Sequence, residues 1–88
     1  MMTLNCVIAS FNMEKGDSLK TLVDKGFDAP VKTNAGMMTR KSGFEFSNAI
    51  EVERIADQAF VTIHINHWAV AQDAVTEACE TLQSAGLL

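Results

Sequence analysis

The sequence predicts an α+β fold: an N-terminal helix or helix pair, an antiparallel meander of three or four strands, and a C-terminal helix packed on the sheet. Three observations predict it. Apolar residues recur at helical spacing up to Val23, alternate between Val31 and Ile65, and return to helical spacing from Trp68 onward. Turn-forming pairs, Ala35-Gly36 and Ser42-Gly43, punctuate the alternating stretch. The composition, 48% apolar and 20% charged, is that of a folded globular chain rather than a disordered one. At 88 residues there is room for one domain, residues 1–88. A chain of this size buries only about 60–65% of its unfolded surface, so a homodimer is a natural way to bury more.

Leu4, Val7, Ile8 and Phe11 fit the i, i+3, i+4, i+7 template of a helix, with Thr3 as its N-cap. A strand with Leu4, Cys6 and Ile8 on one face leaves Val7 and Phe11 outside, so a helix is expected. Gly16-Asp17-Ser18 offers a break or kink, after which Leu19, Leu22 and Val23 continue an apolar stripe. Gly26 sits where a C′ glycine belongs, and Phe27 can fold back on the last turn. Phe27 to Pro30 is a linker, because the residue before proline is driven towards extended geometry.

Val31–Asn34 and Met37–Lys41 are expected to form a hairpin around Ala35-Gly36. From Phe44 to Arg54, Phe44, Phe46, Ile50 and Val52 fall on one face and Glu45, Ser47, Glu51 and Glu53 on the other. Asn48 interrupts the apolar row, as a bulge or a break would. Ala56-Asp57-Gln58-Ala59 is the next turn. A tight hairpin there sets Val52 opposite Ile63, Ile50 opposite Ile65, Glu51 opposite His64, Glu53 opposite Thr62 and Phe60 opposite Ile55. In the last helix Trp68, Ala71, Val75, Ala78, Cys79, Leu82 and Ala85 form the apolar side, and Gly86 ends it.

Motifs with committed chemistry are missing. Cys6, Cys79, His64 and His67 are the only zinc-type ligands in the set, but the cysteines stand singly rather than in close pairs. Cys79, on the helix's apolar side, reads as a small core residue. No Gly-x-Ser-x-Gly elbow, His-Glu-x-x-His or phosphate-cradling glycine loop occurs. Glu51 with His64 resembles an acid–base pair in composition, yet on a sheet face it reads as a cross-strand ion pair. The expectation is therefore a non-enzyme without metal or cofactor. Trp68, at the strand–helix junction, is either a core plug or an interface anchor.

Charge is the most informative functional feature. Residues 1–44 carry a balance of +2 and residues 45–88 a balance of −6, for a net charge of −4 and a pI near 4.9. That balance argues against direct nucleic-acid binding and against binding to an anionic membrane. No run approaches the roughly 18 apolar residues of a membrane span and no signal peptide is evident, so a cytoplasmic location with reduced cysteines is expected. Glu51, Glu53 and His64 share the expected outer face of the sheet, and Asp73, Glu77 and Glu80 form a helical stripe. Such carboxylates suit the basic patch of a larger protein partner.

The expected function is thus a non-enzymatic protein-binding module, a small acidic inhibitor or regulator of a larger protein or complex. Small, acidic, motif-free α+β chains of this kind are common among phage-type inhibitors of host machinery, anti-CRISPR proteins included; the analogy is one of size and composition. The alternative is a dimeric small-ligand or phosphate binder that uses an Arg40–Lys41 turn, with Met37 and Met38 nearby.

Overall fold

A computed structural model of the chain describes residues 18–56, 58–65 and 67–86, together with the backbone course of residues 2–8. The fold is α+β. Strands β1 (Met2–Ile8), β2 (Val31–Lys32), β3 (Met37–Ser42), β4 (Ser47–Ile55) and β5 (Gln58–Ile65) form one antiparallel sheet in the order β1-β5-β4-β3-β2. Helix α1 (Ser18–Asp24) lies between β1 and β2, and helix α2 (Ala71–Ser84) follows β5 through a 3-10 turn at Trp68–Val70. The expected meander of β2 to β5 is present, and β1 adds a fifth strand to it.

That fifth strand corrects the helix expected over Leu4–Phe11. Residues 2–8 are extended and pair with β5 from Met2↔Ile65 to Ile8↔Ala59. Leu4, Val7 and Ile8 fit a period of 3.6, but Met2, Leu4, Cys6 and Ile8 fit a period of 2 equally well. Over seven residues, periodicity cannot choose. The far edge of β5 chooses, because its backbone N–H and C=O groups need partners that only a distant segment supplies. Thr3, expected as a cap, is a strand residue opposite His64. Phe11 and Gly16-Asp17 lie outside the described residues.

Helix α1 ends as the glycine signal requires. Gly26 has φ +101°, its N–H donates to Val23 O at 3.0 Å, and the Phe27 N–H donates to Leu22 O at 3.1 Å. These two bonds make a Schellman motif, and Phe27 is buried as its hydrophobic contact. The linker beyond is tied to β3: the Asp28 N–H donates to Arg40 O at 2.8 Å, and the buried Thr39 hydroxyl donates to Asp28 O.

The β2–β3 hairpin forms around Thr33–Gly36, with the Thr33 N–H donating to Gly36 O at 2.8 Å and the Gly36 N–H donating to Thr33 Oγ1 at 3.0 Å. β4 begins at Ser47, later than expected. Phe44 and Phe46 belong to the preceding loop and pack against the edge of the core. The bulge expected at Asn48 is there, as a register shift between Ser47 and Ala49.

The β4–β5 register differs from expectation by two residues. Ile50 faces Ile63, Val52 faces Val61, Glu51 faces Thr62 and Glu53 faces Phe60, while Ile55 faces Gln58 rather than Phe60. The strands stay paired up to Ile55 and Gln58, and Ala56, just beyond Ile55, takes φ +55°. An alanine in that region costs about 1–2 kcal/mol, so nothing in its side chain advertises so tight a turn. A slip of two leaves the side chains of residues 50–55 on their expected faces. For that reason the core prediction survives the wrong register there. The bulge carries Ser47, expected on the outer face, to the inner one, where it is buried opposite Ile65.

The core lies between one face of the sheet and the two helices. Ile50, Val52, Val61, Ile63 and Ile65 meet Leu19 and Leu22 of α1 and Ala74, Ala78 and Leu82 of α2 in a single buried cluster. Full burial of each aliphatic side chain contributes about 1.5–3 kcal/mol. Helix α2 keeps Ala78 and Leu82 inside, with Ala85 at its end, as expected, but buries Ala74 in place of the expected Val75 and Cys79; those two face outward, as does Trp68 on the 3-10 turn before it. Small residues at 74 and 78 let the helix axis come close to the sheet, and no room is left there for Val75 or a thiol. Among the described residues, no helix is long and apolar enough to cross a membrane.

Gly36 is tightly constrained, because a Cβ there would stand 2.0 Å from Arg54 O. Gly36→Ala is expected to cost about 3 kcal/mol or more in urea denaturation, the range of overpacking against backbone. Gly43→Ala, at φ +83° with nothing within 4 Å of the added carbon, should cost only about 1 kcal/mol. Equal losses at the two sites would contradict the placement of the hairpin against β4.

Candidate partner-binding surfaces

Both helices pack on the same face of the sheet, so the opposite face is where the polar residues of the alternating strands emerge. Register places Val31, Met38, Glu53 and Phe60 in one row across that face. Arg40, Glu51 and Thr62 make the next row, and Ser42, Ala49 and His64 the third. Glu51, Glu53 and His64 thus share the face expected for them.

Glu51 and His64 do pair, but diagonally across the corrected register, with His64 Nε2 2.7 Å from Glu51 Oε1. A diagonal neighbour is within reach of a glutamate and an imidazole. Arg40 Nε approaches the same oxygen at 3.9 Å, from directly opposite on β3. Three side chains from three strands therefore share one carboxylate. The Arg40 side chain is 49% exposed and those of Glu51 and His64 about one-fifth exposed, so solvent screens the group and each pair contributes about 0–1 kcal/mol. Glu53 is held differently: the Thr33 hydroxyl of the β2–β3 hairpin donates to its Oε2.

The Arg40–Lys41 pair is not a turn. Both residues lie within β3, and strand alternation sends them to opposite faces. Arg40 joins Glu51 on the open face. Lys41 Nζ donates to Lys25 O at 3.2 Å and lies 5.4 Å from the centre of the Phe44 ring. The expected two-cation grip on a phosphate is therefore separated by the sheet. Met37 is 40% exposed and Met38, its neighbour, lies on the open face beside Glu53.

The helical carboxylates stand apart from those of the strands. Asp73, Glu77 and Glu80 project from α2, on the far side of the core from Glu51 and Glu53, because α2 covers the inner face. They do not form one surface with the strand acids. Glu77 is also occupied within the fold: its carboxylate accepts from the Glu45 N–H at 2.9 Å and from the Phe46 N–H at 3.3 Å. These bonds satisfy two backbone donors of the loop before β4, where Phe44 and Phe46 lie against the core. Asp73 and Glu80 are exposed.

Trp68 resolves as a surface residue, 69% exposed, with Val75 38% exposed and Cys79 exposed on the same helix. Val75 and Cys79 stand one turn apart on α2, and Trp68 stands on the 3-10 turn that leads into it. His67 anchors this junction. It is extended at φ −151°, and its Nδ1 accepts from the Ala69 N–H at 3.1 Å, which caps the 3-10 turn. Sequence reasoning placed Cys79 and Val75 inward because it overlooked Ala74; the alanine-rich stripe at 71, 74, 78 and 85 was the available signal. Among the described residues, no three His, Cys, Asp or Glu side chains gather as a metal site would require. No protein-family model matches the chain, and no curated protein or solved structure matches it.

The Glu77 tie gives a direct test. Glu77→Ala is expected to lower stability by about 1–2 kcal/mol, the cost of leaving backbone donors without their charged acceptor. Glu80→Ala, on the same helix, should stay within about 0.5 kcal/mol of the wild type. Chemical denaturation of both variants measures the difference, and equal values would mean that Glu77 does not hold the loop.

Proposed function

We propose that this chain is a non-enzymatic protein-binding module, a small acidic regulator or inhibitor of a larger protein, and that it docks through the outward side of α2. One observation carries the reading: Trp68, the most exposed large apolar residue described, is held on a capped turn at the head of a helix whose charged residues are all acidic. Tryptophan is enriched among the residues that dominate binding energy, and a preorganised one loses little entropy on docking. Val75 extends the apolar contact along the helix, with Asp73 and Glu80 at its border.

Charge decides the partner. No lysine or arginine follows Arg54 in the sequence, so the outer side of α2 offers only negative charge. A partner surface with an apolar pocket ringed by lysine or arginine complements it, and an arginine laid over the indole adds a cation–π contact. Carboxylates at such a rim act mainly on the association rate and on its salt dependence. This reading narrows the acidic surface expected from sequence to its helical part, without Glu77.

The test uses affinity capture followed by titration of the identified partner. Trp68→Ala is expected to weaken binding by at least about tenfold, and Asp73→Lys with Glu80→Lys to weaken it several-fold while flattening its salt dependence. Glu51→Gln, on the other side of the molecule, should leave affinity unchanged. Retention of full affinity by Trp68→Ala would show that the partner uses another surface.

A further inference from the structure

We propose that β1 is a pairing edge, and that a second copy of this chain docks there by laying its own β1 antiparallel along it. The two edges of the sheet, β1 on one side and β2 on the other, are built very differently. An edge strand presents a row of backbone N–H and C=O groups to any extended chain it meets. Stable folds blunt such an edge with a short strand, a proline, a lysine, a bulge or a covering segment.

The β2 side is blunted in these ways. β2 is two residues long, follows Pro30 and contains the exposed Lys32. Past its end the linker takes over the edge of β3, where the Asp28 N–H donates to Arg40 O at 2.8 Å and the Thr39 hydroxyl donates to Asp28 O. β1 carries no such device in its sequence or its register. It is seven residues, MTLNCVI, with no charge, proline or glycine, and it pairs with β5 without a bulge from Met2↔Ile65 to Ile8↔Ala59. Among the described residues, no strand pairs with its other edge. In an antiparallel ladder, alternate residues direct their backbone groups to one neighbour and the rest to the other side. Half of the β1 backbone is therefore aimed away from β5.

A copy of β1 fits that edge in length, phase and charge. Facing residues must both direct their backbone groups across the gap, so they are both even or both odd in number. Pairing Met2 with Ile8 of the second copy meets this condition and uses the whole strand. Thr3 then faces Val7, Leu4 faces Cys6, and Asn5 faces Asn5 on a twofold axis. Because the strand is uncharged, no like charges meet across that axis. The twofold closes the assembly at two chains. It stands perpendicular to the sheet, so the helices of both copies lie on one side of a single continuous sheet. Pairing also buries more surface for a chain whose size leaves it a thin margin of stability.

Sedimentation equilibrium from about 1 to 300 μM, a span suited to a small interface, is the first measurement. The weight-average mass should rise from 9.6 kDa towards twice that value. Amide hydrogen exchange at the two ends of that range locates the contact: alternate amides of residues 2–8 should exchange more slowly at the higher concentration. Thr3→Lys with Val7→Lys sets like charges across two facing pairs and should raise the dissociation constant roughly tenfold. Thr3→Lys with Val7→Glu sets opposite charges across the same pairs and should stay within about threefold of the wild type. Circular dichroism and thermal melting check that both variants are folded. A wild-type mass of 9.6 kDa throughout would overturn the proposal. So would a dimer whose β1 amides exchange equally fast at both concentrations, or equal dissociation of the two folded variants. The exchange measurement uses the wild-type chain, so it decides the matter even where a variant is unstable.

Discussion

The structure depends on the double pairing of β5. Its neighbours β4 and β1 satisfy the backbone on both edges, and its alternate residues Ala59, Val61, Ile63 and Ile65 are withdrawn from water on one face. A strand so placed has no freedom of register, because a shift of one residue would exchange Ile63 for His64 in the core. The hydrophobic side then draws both helices to itself. With alanines at 74 and 78, α2 lies close against β5, and the polar side of the strand faces away from any helix.

That one-sided arrangement sorts the charges. Carboxylates near one another in composition end up separated by the full thickness of the core: Glu51 and Glu53 on the strands, Asp73 and Glu80 on the helix. The strand acids meet cations of their own sheet or side chains of the hairpin, and so belong to a surface of mixed sign. Asp73 and Glu80 stand exposed on α2, where the helix's own charged residues are all carboxylates. Glu77 shows a third outcome, in which a carboxylate on the helical stripe becomes a cap for the loop before β4. Residue type alone does not distinguish these three uses; they differ in which backbone or side-chain donors the topology brings near.

Much of the fold was legible because its signals are local. The glycine at position 26 ends α1 through bonds that span only a few residues, and the interruption at Asn48 appears as a bulge in the same place. The Glu51–His64 pair was foreseen on a register two residues out, since a two-residue slip preserves faces and the long side chains reach the diagonal. The helix expected at Leu4–Phe11 failed for the opposite reason. Its true state depends on a partner strand more than fifty residues away, and seven residues carry too few periods to show it. The inner side of α2 was legible at Ala78, Leu82 and Ala85 but not at Ala74, because close approach to the sheet selects that small residue in place of Val75 and Cys79.

By itself, the sequence determined the alternation of β4 beyond its bulge and of β5, hence which of those residues are inside, along with the C-terminal ends of the two helices and the lack of lysine or arginine after Arg54. Those follow from side-chain chemistry and short-range geometry. Only the tertiary structure decided that β1 completes the sheet, that Arg40 and Lys41 part to opposite faces, and that Trp68 and Val75 stand in solvent beside Asp73. These outcomes arise from competition for the limited area on the inner face of one small sheet. Two helices and three phenylalanines, Phe27, Phe44 and Phe46, claim that area, and the residues that do not fit it form the surface.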